Sequence, residues 1–430
     1  MTGKKIIEGW WKYMGKFFKT IFVSNYINHH QIPFCNAMNR LLQGEFLFIQ
    51  TEPMEEERVR MGWHEAERPE YVRCYYEEEE ICRQLILESD VVLFGGTEEE
   101  SYIADRLKAG RPVIRYSERL YRTGQWKAVS PRGLKKKYQD HTRYRKAQVY
   151  LLCAGAYVAS DFHIVRAYPG KMFRWGYFPE TKHYEIEKLV QGKGYGDKKV
   201  PYLLWAARMI ELKHPELPLE TAGYLKAKGL EFHMDLIGDG ALRPRMEALA
   251  AEYELGDSVS FLGFQSPEAV RHYMEKADIF LFTSDRQEGW GAVANEAMNS
   301  ACALVADHMI GAVPYLVQNG RNGLIYRDGR KQMLFSQAEK LVRDRQFCRE
   351  LGKQAYRTIT DVWNAENAAG QLMQLICSIM EASNKEGFLL EQGNSAAWNM
   401  AGGFGSNGGI PPAPCTPAPI LSERFVKPRS

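Results

Sequence analysis

The 430-residue sequence has no long apolar run, no paired cysteines and no strong charge of either sign. Its longest charge-free apolar stretch, residues 149–160, falls short of the roughly 20 residues that a helix needs to span a bilayer. The eight cysteines (Cys35, Cys74, Cys82, Cys153, Cys302, Cys348, Cys377 and Cys415) include no C-x-x-C pair and no zinc-like Cys/His spacing, so a reduced, cytoplasmic chain is expected. Near the N-terminus no apolar segment precedes a small-residue cleavage site, and no secretory signal is expected. A net charge of +3 is small for this length and argues against nucleic acid as a partner. No glycine fingerprint follows a predicted strand, which disfavours a Rossmann oxidoreductase. The formal G-x-G-x-x-G of Gly403, Gly405 and Gly408 has neither strand before it nor helix after it.

What is present reads as α/β. With 45% apolar and 25% charged residues the chain can bury two cores. Strand-like runs at 20–24, 45–50, 90–94, 112–116 and 149–153 alternate with helical patterns, and the alternation repeats at 202–206, 233–237, 259–262, 279–283 and 304–306. That predicts two Rossmann-like, doubly wound parallel-sheet domains in series. The Gly- and Lys-rich segment 190–201 suits a flexible connection, so the boundary is drawn there, with a first domain over 20–190 and a second over 191–360. Leu372, Leu375, Ile376 and Ile379 give a helical spacing within 361–382, and the Gly-, Pro- and Ala-rich composition of 383–430 predicts a disordered tail.

Residues 284–298, SDRQEGWGAVANEAM, follow the apolar run DIFLFT. In open α/β sheets ligands bind beyond the carboxyl ends of the strands, which puts Glu288 in a crevice. Gly289 and Gly291, flanking Trp290, let the backbone turn and approach a ligand, and a helix beginning near Ala292 presents N–H groups that favour phosphate. Glu296 follows within that helix. Taken alone, the two acids read first as a solvated loop acid and a surface helix residue. Arg208 and Lys213 follow the strand at 202–206, where a diphosphate could lie against them, although each alone would more often be a solvated charge. Two further strands end in Gly238-Asp239-Gly240 and in Phe261-Leu262-Gly263-Phe264, so four strand ends carry compatible groups.

The segments AARMIELK, DLIGDGALRPRMEALA, VSFLGF, ADIFLFTSDRQEGWGAVANEAM and VQNGRNGLIY resemble, in order and spacing, the retaining family 4 glycosyltransferases, part of glycosyl transferases group 1, of the kind used in bacterial surface polysaccharide synthesis. The resemblance is strong over 202–326 and one of layout before that. It implies the GT-B architecture, two such domains facing a cleft, with the helix at 361–382 crossing back to the first domain. It further implies Arg208 and Lys213 on the donor diphosphate, Glu296 on the ribose and Glu288 on the transferred sugar. The backbone of Gly289, Trp290 and Gly291 would cradle phosphate and sugar, and Gly238 and Phe264 would lie near the base. The implied donor is a UDP-sugar first and a GDP-sugar second, the acceptor a glycan or lipid-linked glycan. Three places depart from the pattern: Ala301 and Ala303 stand for a usual Gly and Pro, Tyr315 for a common acid, and His214-Pro215 for a Gly after Lys213.

The first domain offers Asn25, His29, His30 and Glu118 as acceptor or sugar candidates. The histidines serve equally well as caps of the following helix, and Ser117-Glu118 stands near where many relatives carry a histidine. No D-x-D occurs in the chain, so no cofactor or metal is expected and the cation role passes to Arg208 and Lys213. The implied reaction is a metal-independent retaining transfer. Competing readings are a non-catalytic nucleotide-sugar or glycan-binding partner subunit of the same fold, an epimerase and a sugar phosphorylase. Residues 1–19 carry Trp10, Trp11, Phe17 and Phe18 among lysines at helical spacing, an amphipathic extension suited to an anionic membrane surface. The basic run 133–146 could add to that attraction, giving a peripheral place on the inner membrane face; a helix docked on the first domain fits the extension equally well.

Overall fold

The computed structural model describes residues 18–54, 68–125, 128, 130–327, 329–384 and 411–421. All but the last two residues of the amphipathic extension lie outside them. The described chain forms two sheets in which every strand pair is parallel. The first joins β1 (Thr20–Ser24), β2 (Phe46–Gln50), β3 (Val72–Cys74), β4 (Val91–Phe94), β5 (Val113–Ser117), β6 (Val149–Ala154) and β7 (Met172–Trp175), in the order β3-β2-β1-β4-β5-β6-β7. The second joins β8 (Tyr202–Ala206), β9 (His233–Ile237), β10 (Val259–Gly263), β11 (Ile279–Phe282), β12 (Ala303–Asp307) and β13 (Leu324–Tyr326), in the order β10-β9-β8-β11-β12-β13.

Central strands such as TIFVS, VVLF and IFLF are buried along their whole length, as strands covered by helices on both faces must be. Phe22 lies opposite Phe48 on one side and Leu93 on the other, and Ile279 lies between Leu203 and Ala303. Strand order reverses between β1 and β4 and again between β8 and β11. These are the switch points at which a doubly wound sheet opens a crevice beyond its carboxyl ends. β3, β7 and β13 escape the sequence reading, because three or four residues show no period, and in β3 and β7 an arginine, Arg73 or Arg174, stands among them.

By its contacts the chain forms two units. The first runs to Glu180 and resumes at Asn364; the second is Thr181–Trp363. The boundary therefore falls before the segment at 190–201 expected to carry it. Lys182 already belongs to the second unit, since its N–H donates to Asn299 Oδ1 at 2.8 Å and its carbonyl accepts from Asn299 Nδ2 at 3.0 Å. Nor is the Gly- and Lys-rich segment a loose connection. Lys193 is buried, and its ammonium donates to the carbonyls of Met274 at 2.9 Å and Ala277 at 2.6 Å. Composition suggested flexibility, but these two carbonyls and a third, Glu275 O at 3.2 Å, hold one lysine and fix the turn.

The helix Ala365–Asn384 belongs to the first unit and packs on the helix Ile32–Leu41, with an Arg40–Glu366 ion pair at the contact. The tail departs from the expected disorder. Within residues 411–421, Cys415 to Ala418 run along the outer edge of β7: Cys415 N–H donates to Arg174 O at 2.8 Å, Arg174 N–H to Thr416 O at 2.8 Å and Ala418 N–H to Met172 O at 3.0 Å. A compositional argument counts only what a segment buries by itself. It misses a neighbouring sheet edge with unpaired backbone groups. The rest of the tail lies outside the described residues.

Candidate active site

Two loops at the second switch point are laced together. After β8 the chain turns through Arg208 into a short 3-10 turn, Glu211–Lys213, while the loop after β11 carries Thr283 to Glu288. Thr283 Oγ1 donates to Lys213 O at 2.7 Å and itself accepts from Trp205 Nε1 at 2.9 Å; Asp285 N–H donates to Leu212 O at 3.0 Å. Lys213 and Glu288 are thereby brought into an ion pair, with about 16% and 15% of their side chains exposed. Arg208, on the same strand end, is exposed, and its side chain has no hydrogen bond or ion pair among the described residues.

His214 is part of this lacing, and sequence reasoning saw it only as a departure. It adopts φ 49°, the left-handed region in which a glycine is at ease, and its ring reaches Glu216 at 2.8 Å and Asp285 at 3.6 Å. Hydrogen bonds donated by the ring to Asp285 and then to Glu216 raise its pKa to about 10 against the opposing effect of burial. The residue that follows Lys213 in sequence is therefore an imidazolium at neutral pH. The signal available in the sequence was the acid-rich surroundings, Glu211, Glu216 and Asp285, of a histidine where the resemblance calls for glycine.

The glycines mark places where backbone meets backbone. A Cβ on Gly238, at φ 124°, would stand 1.9 Å from Ala207 O, and one on Gly240 2.6 Å from Met209 O. These two residues let the loop after β9 lie directly on the loop after β8. Gly291, at φ 88°, leaves no room for a Cβ, which would meet the Phe282 ring at 2.3 Å. Phe264 follows β10 with 60% of its surface exposed, an aromatic ring left open at a strand end.

Gly289 and Trp290 are buried. Trp290 donates from Nε1 to Asn295 Oδ1 at 2.9 Å and stacks on Trp363, the ring centroids 5.6 Å apart. Its side chain thus serves the core, and only its backbone is left to meet a ligand. Tyr315 joins the same cluster, 5.9 Å from Trp363, so the residue that replaces a common acid is a buried wall of the loop. Glu296 lies in the helix Val293–Asn299, partly exposed. Desolvation raises its carboxyl pKa, with Arg271 and Lys182 pulling the other way. Ala301 keeps φ 56°, the conformation of the glycine it replaces.

In the first unit Asn25 stands at the end of β1. Its Oδ1 accepts from Ser24 Oγ at 3.3 Å, and its carbonyl accepts Thr51 N–H at 2.8 Å. His29 and His30 lie on the following turn, their rings 3.9 Å apart, and His30 faces the Tyr177 ring at 6.3 Å. The helix they precede is Ile32–Leu41 with Gln31 at its N-cap position, so neither histidine is the N-cap residue. Glu118 accepts from Tyr177 Oη at 2.5 Å and pairs with Arg122. Phe22, Phe34, Tyr116, Trp175, Tyr177 and Phe178 line a solvent-open crevice here, together with His30. Tyr177, which ties the candidates together, was missed because β7 was missed. Among the described residues no group of three or more His, Cys, Asp or Glu is placed to hold a metal ion, and no helix is long and apolar enough to cross a membrane.

Residues 191–358 match the family model described as glycosyl transferases group 1. The amylovoran biosynthesis glycosyltransferase AmsK of Erwinia amylovora is 30% identical over 137 residues, 31% of this chain and 33% of that protein. Alpha-D-kanosaminyltransferase of Streptomyces kanamyceticus is 29% identical over 150 residues, 35% of this chain and 38% of that protein. The chain thus spans between a third and two fifths of the length of these two curated relatives. The structure of Anabaena Alr3699/HepE in complex with UDP superposes with a TM-score of 0.62 at 14% identity, covering 84% of this chain and all of that one. The second unit is therefore a glycosyl transferases group 1 domain, and the chain has the GT-B fold of two parallel-sheet α/β domains.

Proposed function

We propose that this protein is a retaining, metal-independent glycosyltransferase that moves a sugar from a nucleoside diphosphate sugar, UDP first and GDP second, to a glycan or lipid-linked glycan. The observation that carries the reading is the Lys213–Glu288 pair beside the unpartnered Arg208 at the switch point of the second sheet. Two cations there answer a diphosphate whose charge grows as the sugar leaves. Glu288, released from Lys213 when phosphate takes its place, accepts from sugar hydroxyls, and Glu296 accepts from the ribose. Phe264 offers the base an exposed ring, and Gly238 an approach without a side chain. The acceptor hydroxyl attacks on the face from which the diphosphate departs, and a phosphate oxygen takes its proton. Asn25, His29, His30 and Glu118 are assigned to acceptor or sugar.

Lys213→Ala is the test. Losing one preorganised charge at a developing anion lowers turnover by about 10²–10³-fold, read as UDP or GDP release from the matching sugar donors. An active Lys213→Ala protein sinks the assignment. A rise in melting temperature with UDP or GDP but no turnover of any donor would leave a binding subunit instead.

Peripheral attachment to an anionic membrane belongs to the same proposal. It is supported by the helix Pro131–Asp140, which buries none of its residues and exposes Leu134 at 42% and Tyr138 at 59% among lysines. Salt-independent failure to co-sediment with anionic vesicles would remove this part alone.

A further inference from the structure

The outer edge of β7 is occupied in an unusual way. Antiparallel pairing sets Phe173 opposite Pro417, flanked by the bonds Arg174 N–H to Thr416 O and Ala418 N–H to Met172 O. Cys415 and Thr416 both face Arg174, the first donating to its carbonyl and the second accepting from its amide. With Cys415 at φ 56°, this is a β-bulge of the kind normally built on glycine. Arg174 adds a side-chain bond from Nη1 to Thr416 Oγ1 at 3.1 Å, and Ala418 packs on the first unit's core.

The prolines follow the same logic. Donors are needed at Cys415 and Ala418, and neither is proline. Pro417 exchanges no bond with Phe173, so the N–H it lacks would have pointed away from the sheet; by alternation the same holds for Pro419. The segment therefore accepts one strand edge and offers no donor there to a second. Its stiff prolines also lower the conformational entropy lost on docking. Behind β7 lie the rings that shape the first unit's strand ends: Trp175 is 5.2 Å from Phe34 and 4.8 Å from Phe178, and Tyr177 holds Glu118.

We propose that the outer edge of β7 is a strand-docking site for an extended proline-rich peptide. Its occupant is this chain's own residues 411–421, a separable cap that secures β7 and the turn at 175–178 behind it. The proposal is independent of the transferase reading. It is tested with a chain ended at Glu386 and a synthetic peptide of residues 411–421. The peptide is expected to bind the shortened chain one to one and to return amide exchange over residues 172–178 to the rate measured in the full chain. A peptide carrying Ala418→Pro loses the donor to Met172 and binds about tenfold more weakly. One carrying Pro417→Ala binds as well as the native peptide. In the full chain, where folding of the shortened form is not at issue, Ala418→Pro speeds exchange at Arg174. Equal binding of the Ala418→Pro peptide, no binding of the native one, or unaltered exchange over 172–178 in both altered chains overturns the proposal.

Discussion

The carboxyl ends of the two sheets share a topology and differ in chemistry. Beyond β8 and β11 the loops are tied by charge: Lys213 to Glu288 and His214 to Asp285 and Glu216, over glycines that allow backbone to touch backbone. Beyond β1, β4 and β5 the ties are largely aromatic, with Phe22, Phe34, Tyr116, Trp175 and Tyr177 in edge and tilted contacts beside the Arg115–Glu100 and Arg122–Glu118 pairs, and with the Arg119–Asp161 pair fully buried. A charged, partly exposed rim can be rearranged by an anionic ligand at little cost, because water and ligand compete for the same groups. An aromatic rim with its ion pair sealed off can recognise apolar or sugar-ring surface but resists rearrangement. The diphosphate proposed above would meet the rim of the first kind.

The sharpest way to break this contrast is Asp161→Ala. Asp161 accepts from Arg119 Nε at 3.3 Å and Nη2 at 3.1 Å, from Tyr121 N–H at 3.1 Å and from Gln125 Nε2 at 2.9 Å, with both side chains of the ion pair fully buried. Removing it strands a guanidinium in the core, a loss of about 3–5 kcal/mol. Amide exchange should rise over 113–125 and 158–164 while β8 to β12 keep their protection. Equal loosening of both sheets, or of neither, would mean that the pair does not anchor the aromatic rim.

The two rims were not equally legible in the sequence. In the second sheet β8 to β12 are largely apolar runs of four or five residues, and the groups that count follow β8, β9 and β11 within a few positions, so Arg208, Lys213, Gly238 and Glu288 could be placed one strand end at a time. Glu118 could be named because it follows a strand end, but Tyr177, which meets it, comes after a four-residue strand with arginine in it, and nothing local announces that ring. The docked tail escaped for the same reason. What holds it is the empty edge of β7, a property of the fold and not of the segment. Two of the departures from the family pattern, His214 and Ala301, were visible as letters, but their backbone conformations were not.

A pH series sharpens the charged side of the comparison. The folded pKa of His214 is raised to about 10, from an ordinary 6.5, by Asp285 and Glu216. Folding therefore takes up a proton between those values. The stabilisation is complete below about 6.5 and is lost as pH rises through about 10. With the ring about a third exposed, solvent screening leaves about 1 kcal/mol, or about 2–4 °C in melting temperature for a unit of this size. His214→Gln should flatten that alkaline decline specifically. If the decline persists in His214→Gln, other groups own it and the imidazolium is not what ties the two loops.

The smallest effect tests backbone against packing. Ala301 sits at φ 56°, where an L-residue is less favourable than glycine by about 1 kcal/mol, yet its methyl group is buried beside Val190 and Tyr356. Ala301→Gly relieves the first and forfeits about 0.8 kcal/mol of the second, so the two nearly cancel and stability should change by less than about 0.5 kcal/mol. Ala301→Val separates the contributions. A branched side chain at positive φ adds strain to a site with no spare room, and a loss of about 2 kcal/mol or more is expected. Denaturant midpoints of the two variants read the difference directly. A large loss for glycine would show that the methyl group holds this turn and that the left-handed backbone is incidental. Near-neutrality with a severe valine effect would show that the chain retains the family's glycine conformation after giving up the glycine.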